Sequence, residues 1–139
     1  MNRTIRTILI VEDNAQNRLL LRDILVFHGY RVLEAENGDD GVRLAKTCWP
    51  DLVLLDIQMP VMDGITAAAL LKNDPATVHV KLIALTSFAM QSDRERIMAA
   101  GFDDYITKPI DTRKLPLLIR RHMLTGKNHV DGANRCDRS

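Results

Sequence analysis

Asp51-Leu52-Val53-Leu54-Leu55-Asp56-Ile57-Gln58-Met59-Pro60 is a nearly unbroken apolar run, set between Trp49-Pro50 and Met59-Pro60. Such a run predicts a short strand buried on both faces, as in a parallel sheet covered by helices on each side. Asp56 falls where that strand should end. Open α/β sheets bind their ligands just outside the carboxyl ends of the strands, so a carboxylate there is a candidate reactive group. Aspartate is also common as a helix cap or loop residue at strand-to-helix turns, and on this stretch alone both readings stand.

Two hydrophobic periods alternate along the chain on either side of this run. Thr7 to Val11 is a β-branched and leucine run that ends in Glu12-Asp13, a first buried strand with acids at its carboxyl end. From Asn14 to His28 the residues Leu19, Leu20, Ile24 and Phe27 recur at helical spacing, with Gly29 placed just beyond the C-cap. Tyr30 to Ala35 reads as a weaker strand, and Asn37-Gly38 turns into a helix carrying Val42, Leu44 and Ala45. After the central strand, Met62-Asp63-Gly64 precedes an alanine-rich and leucine-rich helix from Ile65 to Lys72, ended by Asn73-Asp74-Pro75. Lys81 to Leu85 is a fourth strand that finishes at Thr86-Ser87. Ser92 with Glu95 has the form of a capping box for a helix that stops near Ala100-Gly101. Tyr105-Ile106 belongs to a fifth strand, followed by Thr107-Lys108-Pro109. Asp111 is placed as N-cap of a last helix through Leu115, Leu118 and Ile119 towards Leu124.

Five strand-helix repeats with short connections predict a right-handed, doubly wound parallel sheet of class α/β. The strand-end loops would then open on one edge and collect Glu12 and Asp13, Asp56, Thr86 and Ser87, and Lys108. Each of these residues alone has an ordinary explanation in capping or solvation. Three acids, two hydroxyls and a lysine converging from four strand ends point instead to a site.

Composition bounds the rest. With 139 residues, 46% hydrophobic and 27% charged, the chain suits one domain with a real core. We take residues 1–124 as that domain and the aperiodic polar stretch 125–139 as a disordered tail. A net charge of +1 gives no footprint for nucleic acid. The basic residues between Arg113 and His122 alternate with Leu and Ile, as on the solvated face of an amphipathic helix. Two cysteines, Cys48 and Cys136, match no metal-ligand spacing and no disulfide scaffold, so a reduced, cytoplasmic setting is the simpler expectation. No apolar run approaches the roughly 20 residues that span a bilayer, and the start from Met1 to Arg6 lacks the apolar core of a signal peptide.

The ordered set Val11-Glu12-Asp13-Asn14, Asp56-Ile57-Gln58-Met59-Pro60 with Met62-Asp63-Gly64, Leu85-Thr86, and Tyr105-Ile106-Thr107-Lys108-Pro109-Ile110 resembles the receiver domain of bacterial two-component response regulators. The resemblance covers Thr7 to Leu124. The Glu-Asp-Asn start, Phe88-Ala89-Met90 and Asp104-Tyr105-Ile106 are most similar to stand-alone regulators of the DivK type and to receivers of hybrid histidine kinases. It implies a flavodoxin-like fold with strand order 2-1-3-4-5 and five helices, and a signalling module rather than an enzyme. It implies further that Asp56 accepts a phosphoryl group from a phosphohistidine on a histidine kinase or phosphotransfer protein. Carboxylates a few ångströms apart repel by about 4 kcal/mol per pair at an effective dielectric near 20, so Asp13 and Asp56 together favour a divalent ion. Mg²⁺ suits an all-oxygen site. By resemblance Asp13 and Asp56 ligate it directly, the backbone carbonyl of Gln58 adds an oxygen, and Glu12 acts through water. Lys108, before a cis proline, would pair with a phosphoryl oxygen. Thr86 and Tyr105 would couple phosphorylation to the face of helix four, strand five and helix five, for binding of a downstream protein target.

Two departures from the family pattern stand out. Ser87 follows Thr86 where alanine is frequent, and Phe88 is bulky and apolar where fast-cycling members carry a polar group. Phe88 is therefore expected to restrict the attacking water and lengthen the life of an aspartyl phosphate. A phosphatase of the haloacid-dehalogenase type needs a second aspartate where Gln58 stands, and a nucleotide-binding protein needs a glycine-rich phosphate loop that the sequence lacks. A phosphorylation-independent adaptor, or a receiver belonging to a longer kinase or regulator, are the remaining alternatives. With no output domain after the last helix, output by protein contact is expected. The kinase would dock near Gln16, Asn17 and Leu20 and the loop after Lys108, and a monomer that dimerises on phosphorylation is the expected assembly.

Overall fold

The computed structural model describes residues 5–60, 62–87 and 90–125. Five strands, β1 (Thr7–Val11), β2 (Arg31–Ala35), β3 (Leu52–Asp56), β4 (Lys81–Thr86) and β5 (Asp104–Thr107), alternate with five helices. These are α1 (Ala15–Phe27), α2 (Gly38–Cys48), α3 (Gly64–Lys72), α4 (Gln91–Ala99) and α5 (Lys114–Thr125). The strands form one parallel sheet in the order β2-β1-β3-β4-β5. This is the doubly wound α/β sheet expected from the alternating periods, in the flavodoxin-like strand order that the resemblance implies.

Strand side chains alternate between faces, and this parity divides the core. Leu9, Val11, Val53, Leu55, Leu82 and Ala84 pack with Val42, Ala45, Ala67, Ala68, Leu71 and Ile97 from α2, α3 and α4. Ile8, Ile10, Leu52, Leu54, Ile83 and Leu85 pack with Leu21, Leu25, Leu115, Ile119 and Met123 from α1 and α5. All five residues of β1 and of β3 are buried, which is why both read as continuous apolar runs.

Two local expectations need correction. Of the α1 residues expected to face the core, Leu19, Leu20 and Phe27 are exposed and Ile24 is half-buried. Leu21 and Leu25 are buried instead. The helix is apolar over too much of its circumference for spacing to single out one face. The capping box at Ser92 is not formed. The helix begins at Gln91 with Met90 as N-cap and no side-chain cap bond, while Gln91 Nε2 donates to Glu95 Oε2 at 3.2 Å. Cys48 is buried at the end of α2.

Other helix caps do form. Asn14, Asn37 and Asp63 each accept the amide of the residue three positions on. Asp111 Oδ1 accepts the Arg113 and Lys114 amides ahead of α5. Gly29 takes φ +92° after α1, a conformation open to glycine without strain. No described helix is long and apolar enough to cross a membrane. The expected tail from 126 onward, the start before Ile5, Cys136 and Phe88 lie outside the described residues.

The burial pattern of α1 makes a direct comparison available. Leu25→Ala should destabilise the fold by about 2–5 kcal/mol, whereas Phe27→Ala, at a residue 82% exposed, should change it by about 0.5 kcal/mol or less. Urea denaturation of the two variants checks this.

Candidate functional site

The carboxyl ends of β1, β3, β4 and β5 deliver the candidate residues to one edge of the sheet. The opposite edge also carries acids, but these are structural: Asp51 Oδ2 accepts the Thr7 amide at 2.8 Å and Asp103 Oδ2 accepts the Leu82 amide at 2.9 Å. They tie loops to the starts of strands.

Asp56 closes β3 and is 1% exposed. Its Oδ1 accepts the Gln58 amide at 3.0 Å, and its Oδ2 accepts from Lys108 Nζ at 2.9 Å. Gly64, the first residue of α3, lies against the main chain of this turn. A Cβ there would meet the Asp56 carbonyl oxygen at 2.5 Å and the Ile57 Cα at 2.7 Å, so only glycine fits the approach.

Glu12 follows β1 and is also 1% exposed. Its amide donates to the Ala35 carbonyl at 3.1 Å, and its Oε2 accepts the Asn14 amide at 3.1 Å. Lys108 Nζ stands 3.0 Å from Glu12 Oε1. That approach has the length of a hydrogen bond but not its angles, so it is an ion pair. Among the described residues Glu12 Oε1 is the buried side-chain oxygen left without a hydrogen-bond partner. Burial raises the Glu12 pKa above its ordinary 4.5 and the nearby Asp56 charge adds to this, against the opposing pull of Lys108 and the Asn14 amide.

Lys108 is 17% exposed along its side chain. Burial by itself would lower its pKa, but pairing with Asp56 and Glu12 outweighs this and raises it above 10.5. The Lys108 amide donates to the Thr86 carbonyl at 2.8 Å, which fixes the end of β5 beside β4, and the Lys108-Pro109 peptide is cis. Asp13 is exposed, and one carboxylate oxygen each from Glu12, Asp13 and Asp56 lie within 4.8 Å of one another. An all-oxygen set of three acids, one with an orphaned buried oxygen, fits a hard divalent cation.

Thr86 is buried at the end of β4, with Thr107 as its register partner on β5. Tyr105 is half-buried, and the Arg94 guanidinium of α4 sits 5.7 Å from its ring centroid. Ser87 is exposed, and its amide approaches Gln58 Oε1 at 3.4 Å. Glu12, Asp13, Asp56 and Lys108 thus come together at the edge where the sequence placed them, and Gln58 and Thr86 border it. Sequence reasoning quoted Gly64 in the Met62-Asp63-Gly64 motif but missed its role, because its need for close approach appears only in three dimensions. It also missed Arg18, whose Nη1 donates to the Glu12 carbonyl at 2.8 Å. Its position one helical turn after the Asn14 cap was the available signal.

A family model described as response regulator receiver domain matches residues 8–120. The polar-differentiation response regulator DivK of Brucella anthropi is 38% identical over 118 residues, covering 85% of this chain and 96% of the relative. The receiver domain of a signal transduction histidine kinase from Syntrophus aciditrophicus superposes with a TM-score of 0.82 at 33% identity, covering 91% of this chain and 96% of that one. The receiver domain of a sensor histidine kinase from Pseudomonas aeruginosa superposes with a TM-score of 0.81 at 35% identity, covering 87% and 99%. In that structure a magnesium ion is coordinated in the active-site cleft.

Removing Lys108 leaves two buried carboxylates without their cation. Lys108→Met should cost about 1–3 kcal/mol at neutral pH, read by urea denaturation without divalent ions. Because the folded pKa of Lys108 is raised, its contribution is complete below 10.5. The difference between wild type and variant should hold through neutral pH and narrow as pH rises through the higher folded value.

Proposed function

Given that the chain belongs to the response regulator receiver domain family, we propose that Asp56 is its phosphoryl acceptor in a two-component phosphorelay. The donor is a phosphohistidine on a histidine kinase or histidine phosphotransfer protein. The observation that carries this is the buried Asp56 carboxylate, held by the Lys108 ammonium at 2.9 Å with the Glu12 and Asp13 carboxylates beside it.

A carboxylate is a weak nucleophile towards a multiply charged phosphoryl group, so the work of the site is alignment and charge neutralisation. The Gln58 amide on Oδ1 and Lys108 on Oδ2 orient the Asp56 carboxylate. The attack forms an oxygen–phosphorus bond as the nitrogen–phosphorus bond breaks, and the imidazole nitrogen keeps the electron pair. Lys108 then transfers its pairing from the carboxylate to a phosphoryl oxygen. Asp13, Asp56 and the Gln58 carbonyl would hold Mg²⁺, with Glu12 acting through water. Bound there, the ion neutralises charge shared between the acids and the transferring group.

Thr86 and Tyr105 are proposed to convert the new charge into a changed surface on α4, β5 and α5 that recruits a protein target. Such coupling needs two packings within a few kcal/mol of each other, biased by the phosphoryl group. The half-buried position of Tyr105 against α4 is compatible with a side chain that moves. In this reading the chain is a cytoplasmic signalling module, not an enzyme acting on a separate substrate. It works without nucleic acid or membrane, and dimerises through the same face when phosphorylated. The similarity to two histidine-kinase receivers supports a second reading, in which this receiver serves within a hybrid kinase.

Incubation with acetyl phosphate and Mg²⁺ should add the mass of one phosphoryl group, and Asp56→Asn should abolish the gain. An unmodified wild-type protein would favour a phosphorylation-independent adaptor. A gain that survives Asp56→Asn would place the acceptor elsewhere.

A further inference from the structure

Arg18 lies on the first turn and a half of α1, and its side chain is only 16% exposed. It makes three contacts with groups from two separate segments. Nη1 donates to the Glu12 carbonyl at 2.8 Å, Nε lies 3.3 Å from Glu34 Oε1 on β2, and Nη2 lies 3.9 Å from Glu36 Oε2 just beyond β2. The guanidinium is a rigid planar fork, able to hold a carbonyl and a carboxylate at fixed angles at once. A lysine ammonium offers no such plane.

The Glu12 carbonyl belongs to the peptide unit that leads into Asp13. Every other polar handle of Glu12 that contacts the protein is already engaged: its amide by Ala35, its Oε2 by Asn14, its Oε1 by the Lys108 charge. The carbonyl is the remaining one, and Arg18 takes it. We infer that Arg18, braced by Glu34 and Glu36, is a positioning residue that sets the Glu12-Asp13 peptide and so aims both acids at the divalent cation. The inference rests on the metal reading proposed above. Groups that orient ligands from behind are worth about 10–100-fold in metal affinity.

The sign of the effect separates this role from simple electrostatics. Deleting a positive charge near an acidic site should by itself tighten binding of a dication, whereas deleting a positioning contact should weaken it. Arg22 provides the control, since its Nη1 pairs with Glu34 at 3.6 Å and it makes no contact with Glu12.

The test is calorimetric titration of MgCl₂ into the full chain and into Arg18→Met, Arg18→Lys and Arg22→Met, each checked for cooperative unfolding in urea. Both Arg18 variants should bind Mg²⁺ about tenfold more weakly than wild type, with Arg22→Met unchanged. Metal-free amide exchange at Asp13 should be faster in the Arg18 variants alone. Arg18→Met binding as tightly as wild type, or more tightly, overturns the inference, as does full affinity in Arg18→Lys. If Arg18→Met does not fold, Arg18→Lys carries the same decision. A wild-type chain that takes up no Mg²⁺ overturns the metal reading itself, and this inference with it, and is told apart because the failure is already present before any substitution.

Discussion

The Lys108 ammonium stands between two carboxylates that water barely reaches, 2.9 Å from Asp56 Oδ2 and 3.0 Å from Glu12 Oε1. Burying ionised groups is expensive, and even a well-made buried pair is weak support for stability. Here one cation faces two buried anions, with a third acid, Asp13, at the rim. The set is short of positive charge, and the Glu12 pKa is raised, chiefly by burial with the Asp56 charge adding to it. A fold selected for stability alone would place apolar side chains here. The arrangement makes sense as one held ready for a divalent cation, which supplies the missing positive charge and, in the proposed function, lets the site receive a phosphoryl group.

The fold supplies what such a cluster needs. Parallel strands buried on both faces put their carboxyl ends at one edge, so four separate segments converge without long loops. Main-chain bonds then hold each segment: the Glu12 amide on Ala35, the Ile57 amide on Leu85, the Lys108 amide on Thr86. Gly64 lets the start of α3 press against the Asp56 turn, and Arg18 braces the Glu12 carbonyl from the side of β2. The functional edge is therefore continuous with the core and inherits its rigidity.

Much of this was legible in the sequence because buried parallel strands leave a strong mark. The runs at Thr7 to Val11, Leu52 to Asp56 and Lys81 to Thr86 could be read directly, and the acids, Thr86 and Lys108 stood at their ends. Helix faces were harder. Leu19-Leu20-Leu21 and Ile24-Leu25-Val26-Phe27 put apolar residues on several sides of α1, so periodicity does not distinguish the buried Leu21 and Leu25 from the exposed Phe27. Ser92 and Glu95 have the spacing of a capping box, yet the helix starts a residue earlier, where Gln91 can bond Glu95 instead. The close approach at Gly64 and the reach of Arg18 depend on which segments meet in space. Local pattern carries none of that.

The most direct measurement of the buried charge imbalance is a carboxyl ¹³C NMR titration of Glu12, with and without Mg²⁺. A midpoint above the ordinary 4.5 in the metal-free protein, moving down when Mg²⁺ is added, is the expected result. A midpoint at the ordinary value that Mg²⁺ leaves in place would contradict the view that this edge is a buried, anion-rich pocket built for a cation.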